Sequence, residues 1–366
     1  MFIIHPSLAP YRVDLFNFIN KHFDLTVYFE HKNVENQKFD QEWLKSESLF
    51  KIEYLTVGFN PAKRAIRFDV ITVLKQGKPD IVVCSEYGSS TLISFLFKKI
   101  VRRKFDLYTM CDDSLDIAQN RKGFRSFLRN YLSSTIDGVI LHSKELINWY
   151  VSNVSAKTKY FELPIIHDEK KMKQTLEGSL EHANSYIQKY QLKGHKVILF
   201  VGRLVEIKNI YVLIEAFHKS KNHDSKLVIV GSGEAGHYLK ALVKKREIED
   251  KVIFAGRKEY KELYAWYILS QVLVLPSIHE PYGVVVNEAL ICGCDVICSK
   301  RAGAMSLISA SNGRVFDPHN ITELTSFLND MLHEQQVVPT KISNVRESKM
   351  LFSFDDVSLK FVNNID

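Results

Sequence analysis

Short apolar runs alternate with longer amphipathic stretches along most of this chain. Residues 2–5, 25–29, 52–56, 80–85, 105–111 and 138–141 are each compact and rich in β-branched or aromatic side chains, the pattern of buried strands. Between them the apolar period changes to that of a helix, as where Leu15, Phe18 and Ile19 share one face of a segment starting near Tyr11. Helices are predicted over 61–76, after the loop Glu86-Tyr87-Gly88, and over 120–134. Around 163–194 the alternation stops: 169–173 is charged and the stretch after it is polar. From 196 it resumes, with strands predicted at 197–201, 227–230, 252–255, 272–275 and 295–298 and a helix after each. Strands and helices at this spacing make βαβ units and a mostly parallel sheet. The expectation is an α/β protein of two doubly wound, Rossmann-like domains, 1–165 and 196–351, facing a central cleft and joined by a connection at 166–195.

Composition narrows this little. At 366 residues the chain exceeds one ordinary core, and 46% hydrophobic with 25% charged residues is the balance of a soluble globular protein. The net charge of +7 suits an anionic partner without naming one. The longest apolar runs, such as 92–97, fall far short of the ~18 residues of a membrane-spanning helix. The amino terminus has neither the basic region nor the cleavage site of a secretory signal, and the five cysteines form no disulfide framework, so a cytoplasmic protein with reduced thiols is expected. Cys292 and Cys294 lack the second ligand pair that a structural metal needs, and no metal is expected.

The chemistry concentrates in the second half. At the carboxyl end of the first strand there, Gly202 allows close backbone approach, Arg203 can grip phosphate oxygens as a fork, and Lys208 supplies a point charge. Gly231-Ser232-Gly233-Glu234 is a glycine-rich turn into a helix, a weak signal alone. The third element is 275–290, where the amides of Tyr282, Gly283 and Val284 stand at a helix N-terminus that favours an anion. It carries Glu280 on the turn and Glu288 two helical turns later, a carboxylate within an apolar run that is costly unless satisfied. Taken alone, Glu288 reads equally well as a buried, paired structural group. Together the three loops describe a nucleotide-sugar site: cations and amides for a diphosphate, and carboxylates whose paired oxygens suit vicinal hydroxyls. Arg257 follows another strand end and joins the donor-binding set.

Gly202-Arg203-x4-Lys208, Gly231-Ser232-Gly233-Glu234 and Pro276-Ser277-x2-Glu280-Pro281-Tyr282-Gly283-x4-Glu288-Ala289 resemble the retaining glycosyltransferases of family 4, which have the GT-B fold; the two glutamates match that family's E-x7-E signature. The resemblance is specific over 197–317. It implies that Arg203 and Lys208 bind the donor diphosphate, Glu288 the ribose and Glu280 the donor sugar. It further implies that no metal or other cofactor is needed beyond the nucleotide diphosphate sugar itself, and that a last helix over 352–366 returns to the first domain. The sequence departs from the family at three places. Cys111 stands where a histidine is common, with His5 and His142 as spatial substitutes; 6–10 replaces a glycine-rich loop; and Asp295 replaces a proline.

In the first half, loops at the strand ends would hold the acceptor, a saccharide or a lipid-linked sugar, through Tyr11, Arg12, Glu86, Tyr87, Cys111 and Asp112. Two predicted helices there, 92–105 and 120–132, mix aromatic with basic side chains: Lys98, Lys99, Arg102, Arg103 and Lys104 on one, Arg121, Lys122, Arg125 and Arg129 on the other. That mixture suits an anionic membrane and a peripheral location, and it also fits ordinary amphipathic helices with an apolar core face. No nucleic-acid signature accompanies the charge. The expected activity is transfer of a sugar in surface polysaccharide or glycolipid assembly. An epimerase or phosphorylase of the same fold fits the glutamate pair less well, and a sugar-nucleotide sensor or scaffold without turnover is the alternative that Cys111 keeps open.

Overall fold

The computed structural model describes residues 1–33, 39–60, 65–102, 104–333 and 335–365. The chain divides into two units, Met1–Ile166 with Phe354–Asp366, and His167–Ser353.

Strands of the first unit are β1 Phe2–His5, β2 Thr26–Phe29, β3 Lys51–Tyr54, β4 Gly58–Phe59, β5 Ile66–Arg67, β6 Ile81–Ser85, β7 Asp106–Cys111, β8 Gly138–Leu141 and β9 Lys159–Glu162. Seven of them form one parallel sheet in the order β3-β2-β1-β6-β7-β8-β9. The chain reverses direction of winding at β1, so the carboxyl ends of β1, β6, β7 and β8 bring His5, Glu86, Cys111 and His142 to one edge. The second unit holds β10 Lys196–Val201, β11 Ser225–Val230, β12 Val252–Gly256, β13 Val272–Leu275, β14 Asp295–Ser299 and β15 Gly313–Phe316, all parallel in the order β12-β11-β10-β13-β14-β15. Its central strand β10 pairs Leu199 with Val228 on one side and Leu273 on the other. Covered by helices on both faces, such a strand must be apolar throughout, which is why Val197, Ile198, Leu199 and Phe200 form an unbroken run and are fully buried.

Several expected elements are corrected. Within 61–76 the helix is Asp69–Gly77, and Ile66–Arg67 pairs antiparallel with Gly58–Phe59 instead. Asp69 Oδ2 accepts from the amides of Thr56 at 2.6 Å and Val57 at 3.0 Å, which ties the helix start to the chain leaving β3; residues 61–64 lie outside the described residues. The helix expected over 120–134 is two, Leu115–Asn120 and Phe124–Ser133, separated at Gly123 with φ +68°. After β14 a 3-10 turn, Gly303–Leu307, replaces the expected helix, because Ala302 bridges to Glu280 and the Ala304 amide donates to Tyr282 O at 2.8 Å. Strands β9 and β15 and the helix Lys144–Asn153 extend the pattern beyond what was predicted.

The stretch expected as a connection at 166–195 is, from His167 on, part of the second unit. It folds as the helices Glu169–Glu177 and Leu180–Lys189, the first capped by Asp168 Oδ1, which accepts from the amides of Lys170 and Lys171. The high charge that obscured these helices lies outward, while Met172, Leu176, Ala183, Tyr186 and Ile187 turn inward at helical spacing. They meet the helix Tyr260–Leu269, where the fully buried Trp266 stacks on Tyr186 at 4.7 Å between ring centroids and lies 5.1 Å from Tyr190. The last helix, Phe354–Ile365, belongs to the first unit, with Phe354 edge-on to Phe18 at 5.8 Å.

Trp266→Ala is expected to cost ~3–5 kcal/mol, the usual result of emptying an aromatic site in a core. Urea unfolding followed by tyrosine fluorescence checks it. A loss below about 1 kcal/mol would mean that these two helices are not structurally part of the second unit.

Candidate functional site

The second unit collects its loops where β10, β11, β12 and β13 end. Gly202 follows β10 and Gly231 follows β11, each at positive φ, +157° and +143°. A Cβ on Gly231 would lie 1.8 Å from Gly202 O, and one on Gly233 would lie 2.4 Å from Leu204 O. These glycines exist because the two loops run backbone against backbone, fixed by Leu204 N to Ser232 O and Ala235 N to Leu204 O, both at 2.9 Å. The Gly231 amide in turn donates to Gly256 O at 2.9 Å, which brings the Arg257 loop alongside; Arg257 Nε donates to Glu259 Oε1 at 2.8 Å. Arg203 is exposed at this loop.

Lys208 closes a 3-10 turn, Glu206–Lys208, and the next residue, Asn209, takes a left-handed conformation at φ 54°. Asn209 Nδ2 donates to Pro318 O at 2.8 Å and Pro276 O at 3.2 Å, and the Ile278 amide donates to Ile207 O at 3.0 Å. That lacing sets the Lys208 turn against the loop after β13. There Lys208 Nζ donates to Glu280 Oε2, and Ser277 Oγ donates to the same oxygen at 3.2 Å. Glu280 is only 8% exposed, so this cation offsets a desolvation that would otherwise be costly. Gly283, at φ +98°, turns the chain beneath it: a Cβ there would meet Leu275 Cδ2 at 2.6 Å. Tyr282 is buried, and Val284 directly precedes the short helix Val285–Ile291.

Glu288, on that helix, is held from both sides. Tyr267 Oη donates to Glu288 Oε2 at 2.6 Å, and His167 Nε2 lies 3.6 Å from Oε1. Burial and then the Glu288 carboxylate push the Tyr267 phenol well above its ordinary pKa, so it stays a donor. Next to Glu288, Asn287 Oδ1 accepts the His167 amide at 2.8 Å and so holds the histidine's backbone. Tyr267, His167, Asn287 and Ser277 were not among the predicted site residues. Tyr267 and His167 lie outside the motifs in sequence and become partners of Glu288 through packing.

The acceptor residues expected in the first unit fall into two groups. Arg12, 1% exposed, donates from Nη2 to both Asp112 carboxylate oxygens at 2.6 and 2.5 Å, and the guanidinium keeps the Asp112 carboxyl below its usual range despite burial. Tyr11 is half-buried beside the guanidinium, 5.8 Å from its ring centroid. Glu86 has φ +60°, a conformation held by Thr91 Oγ1 donating to its carbonyl at 2.7 Å and its own amide donating to Met110 O at 2.7 Å. Its carboxyl accepts from the Asp112 amide at 3.0 Å and from Cys111 Sγ at 3.4 Å. Burial, then the nearby Asp113 and Asp112 charges, push Glu86 up to about 8. Cys111 is fully buried, its thiol pushed well up by burial and the Glu86 charge, and it is inert as a nucleophile. Tyr87 belongs to the core, where its Oη accepts from Ser133 Oγ at 2.9 Å.

The two histidines considered as substitutes for the missing family histidine are buried at strand ends. His5 Nδ1 bonds Ser7 O at 2.9 Å and His142 Nε2 bonds Asp113 O at 2.8 Å. Burial lowers both, His5 to about 4, so both are neutral imidazoles near neutral pH. Glu86, Cys111 and Asp113 also stand close enough to share an ion, but Asp113 is ion-paired to Arg121 and the thiol carries its proton.

Among the basic residues expected to face lipid, Arg129, Arg121 and Lys98 are otherwise engaged. Arg129 is buried over the Trp149 ring, donating to Ala118 O at 2.7 Å, and Arg121 pairs with Asp113. Lys99, Arg102, Lys104, Lys122 and Arg125 are exposed, Lys98 is half-buried against Asp137, and Arg103 lies outside the described residues. The first of those helices is Ser89–Ile100, shorter than the 92–105 expected at its carboxyl end. Among the described residues no helix is long and apolar enough to cross a membrane.

With this geometry in hand, the family described as "Glycosyl transferases group 1" matches residues 183–347. An uncharacterised glycosyltransferase of Methanocaldococcus jannaschii is 34% identical over 174 residues, 46% of this chain and 44% of that protein. The N-acetylgalactosamine-N,N'-diacetylbacillosaminyl-diphospho-undecaprenol 4-alpha-N-acetylgalactosaminyltransferase of Campylobacter jejuni is 28% identical over 223 residues, 59% of this chain and 58% of that protein. The chain spans about half the length of the curated relatives it matches. Among solved structures, Anabaena HepE in complex with UDP superposes with a TM-score of 0.72 at 18% identity, covering 100% of this chain and 97% of that one. Sucrose-phosphate synthase from Thermosynechococcus elongatus superposes with a TM-score of 0.71 at 15% identity, covering 100% and 98%. The fold is GT-B, with two Rossmann-like parallel-sheet units.

The Glu86 shift gives a testable pH dependence. A carboxyl whose native pKa is raised from 4.5 to about 8 binds more protons in the folded than in the unfolded chain over that window, so its contribution to stability falls as pH rises. Glu86→Gln is expected to gain stability relative to the parent between about pH 5 and about pH 8. Urea unfolding at both values reads the difference; an unchanged difference would show that Glu86 is ionised in the native protein throughout.

Proposed function

We propose that the protein is a retaining glycosyltransferase of the family 4 type, which moves a sugar from a nucleoside diphosphate sugar to a saccharide or lipid-linked acceptor. The observation that carries this reading is the direct contact of Lys208 with Glu280, two residues that come from different strand ends. A donor of this class presents a dianionic diphosphate bonded directly to a neutral, hydroxyl-rich ring. A cation and a carboxylate side by side match those two neighbouring demands, Lys208 for phosphate oxygens and Glu280 for hydroxyls of the sugar. Arg203, exposed on the same loop, adds a second cation. Gly202, Gly231 and Gly233 keep the loop backbones free of Cβ atoms where the diphosphate would approach, and the turn Tyr282-Gly283-Val284 offers its amides. Glu288, oriented by Tyr267 and His167, keeps further lone pairs for ribose hydroxyls. Arg257 borders this set.

Catalysis in this reading rests on stabilising the leaving diphosphate by Arg203, Lys208 and backbone amides, without a metal. The departing phosphate takes the acceptor's proton as the acceptor attacks from the same face, so configuration is retained. Tyr11, the Arg12–Asp112 pair and Glu86 orient the acceptor. Uridine is the base to test first, since HepE was solved with UDP and a fold of this kind accommodates it. Assembly of a surface polysaccharide or glycolipid, by a cytoplasmic enzyme working peripherally at a membrane, is the setting that suits a lipid-linked acceptor. The second reading, a sugar-nucleotide sensor without turnover, draws on Cys111, whose buried thiol supplies no acid or base at the place where the resembled family often has a histidine. Slow donor hydrolysis in the absence of acceptor distinguishes a working site from a binding one.

Arg203→Ala and Lys208→Ala are each expected to cost ~2–4 kcal/mol in the transition state, read as kcat/KM for the donor. Arg203→Ala is the cleaner variant, because losing Lys208 also leaves Glu280 without its cation. Wild-type turnover at subsaturating donor in both would remove the diphosphate assignment.

Glu288→Gln is expected to weaken binding of the free nucleoside diphosphate and of the sugar donor alike. Glu280→Gln is expected to weaken the sugar donor far more than the nucleoside diphosphate. Calorimetry with both ligands reads the division, and equal losses in the two variants would refute separate roles.

A further inference from the structure

One flank of the first unit joins a cationic cavity to a row of exposed aromatic rings. The cavity, about 300 Å³, lies where the helix Ser89–Ile100 ends, lined by Phe95, Lys98, Lys99, Arg102, Thr135 and Asp137. Asp137 Oδ2 accepts from Lys98 Nζ at 2.5 Å and from the Leu107 amide at 2.7 Å, so one cation is neutralised. Lys99 and Arg102 are exposed and leave two positive charges in excess at this cavity, among its described lining residues.

The aromatic row starts at the same place. Phe95 meets Tyr131 edge-on at 5.9 Å, Tyr131 stacks on Phe127 at 6.2 Å with 10° between planes, and Phe127 lies 6.4 Å from Phe124. Phe124, Phe127 and Tyr131 recur along one face of the helix Phe124–Ser133, yet they are 74%, 62% and 46% exposed. On the neighbouring helix Leu96 and Ile100, one turn apart, are 45% and 78% exposed. Large apolar side chains grouped on a surface mark a contact with something else. The row runs from the cavity, beside the amino ends of β7 and β8, to the loop where Arg121 holds Asp113 at their carboxyl ends.

We propose that this flank docks onto an anionic phospholipid bilayer, with a lipid headgroup phosphate seated in the Lys98–Lys99–Arg102 cavity and the rings of Phe124, Phe127 and Tyr131 entering the interface. Aromatic rings are favoured at the headgroup level of a bilayer, and basic side chains beside them are drawn to anionic lipid. Aromatic rings with cations also suit single-stranded RNA, but the exposed aliphatic Leu96 and Ile100 serve a bilayer and not a base stack. The proposal deepens the peripheral-membrane part of the function proposed above. It is separable from the transfer chemistry, since vesicle binding needs neither donor nor turnover.

The test is co-sedimentation of the full chain with vesicles of phosphatidylcholine alone or of phosphatidylcholine with phosphatidylglycerol, at low and high salt. The parent is expected to pellet with the anionic vesicles at low salt, to be released as salt rises, and to ignore neutral vesicles. Phe124→Ser with Phe127→Ser, and separately Lys99→Gln with Arg102→Gln, should each lower the partition coefficient roughly tenfold or more. All four side chains except their contacts described above face outward, so the variants keep the fold, which circular dichroism verifies. Lys244→Gln with Lys245→Gln, an equal loss of charge on the other unit, should change little. A parent that stays in the supernatant overturns the proposal, and so does an equal loss in the Lys244 and Lys245 control, which would reveal attraction by net charge alone. Release by soluble glycerol phosphate, or binding to oligouridylate in preference to vesicles, would likewise overturn it in favour of a free phosphate ligand or RNA.

Discussion

The contact between Lys208 and Glu280 is the constraint on which the second unit's functional end depends. A carboxylate as buried as Glu280 needs a partner, and its partner comes from 72 residues earlier in the chain. To deliver it, the 3-10 turn at Glu206–Lys208 must sit against the loop after β13, which Asn209 secures by bonding the carbonyls of Pro276 and Pro318. Neighbouring loops then have little room left: Gly202 and Gly231 touch backbone to backbone, and Gly283 passes under Leu275 and Glu280. The glycines thus have a packing cause as well as the ligand-facing one proposed for them.

The two units treat buried charge differently. In the second, the Tyr267 phenol donates to Glu288 with the His167 imidazole 3.6 Å away, and an ammonium and a hydroxyl donate to Glu280, so side chains orient both carboxylates. In the first, three acidic residues, Glu86, Asp112 and Asp113, share one strand edge, where Arg12 pairs with Asp112 and Arg121 with Asp113. Burial raises both Glu86 and Asp113; the neighbouring Asp113 and Asp112 charges push Glu86 further, up to about 8, whereas the Arg121 guanidinium opposes the rise at Asp113. Cys111 completes that cluster as a buried, neutral thiol.

Much of this architecture is legible in the order of residues alone. Parallel strands covered on both faces must be apolar throughout, so the strands of both sheets announce themselves, and the loops that follow them carry Gly202, Arg203, Lys208, Glu280 and Glu288 at spacings that point to a diphosphate beside a sugar. Chemistry confined to one loop, or to a motif with a fixed spacing, survives reduction to a string of letters. Gly123, which splits one expected helix in two, shows the limit of even local reading, because an exposed glycine inside an amphipathic pattern has no unique meaning until its φ is known.

What only the tertiary structure decided is which distant groups meet. Residues 166–195 look like a connection because their surface is charged, and they hold two helices because Trp266, far along the chain from Tyr186, supplies the face they pack against. Arg129 has the sequence of a surface cation and is buried over Trp149, while Phe124 and Phe127 have the sequence of core aromatics and stand in solvent. Tyr267 and His167 carry no motif at all, yet they orient Glu288. Periodicity records how a side chain relates to its own helix or strand. It holds no record of the neighbouring element that will cover that face, pair that charge or leave it open, and those partners are set by the packing of the whole unit.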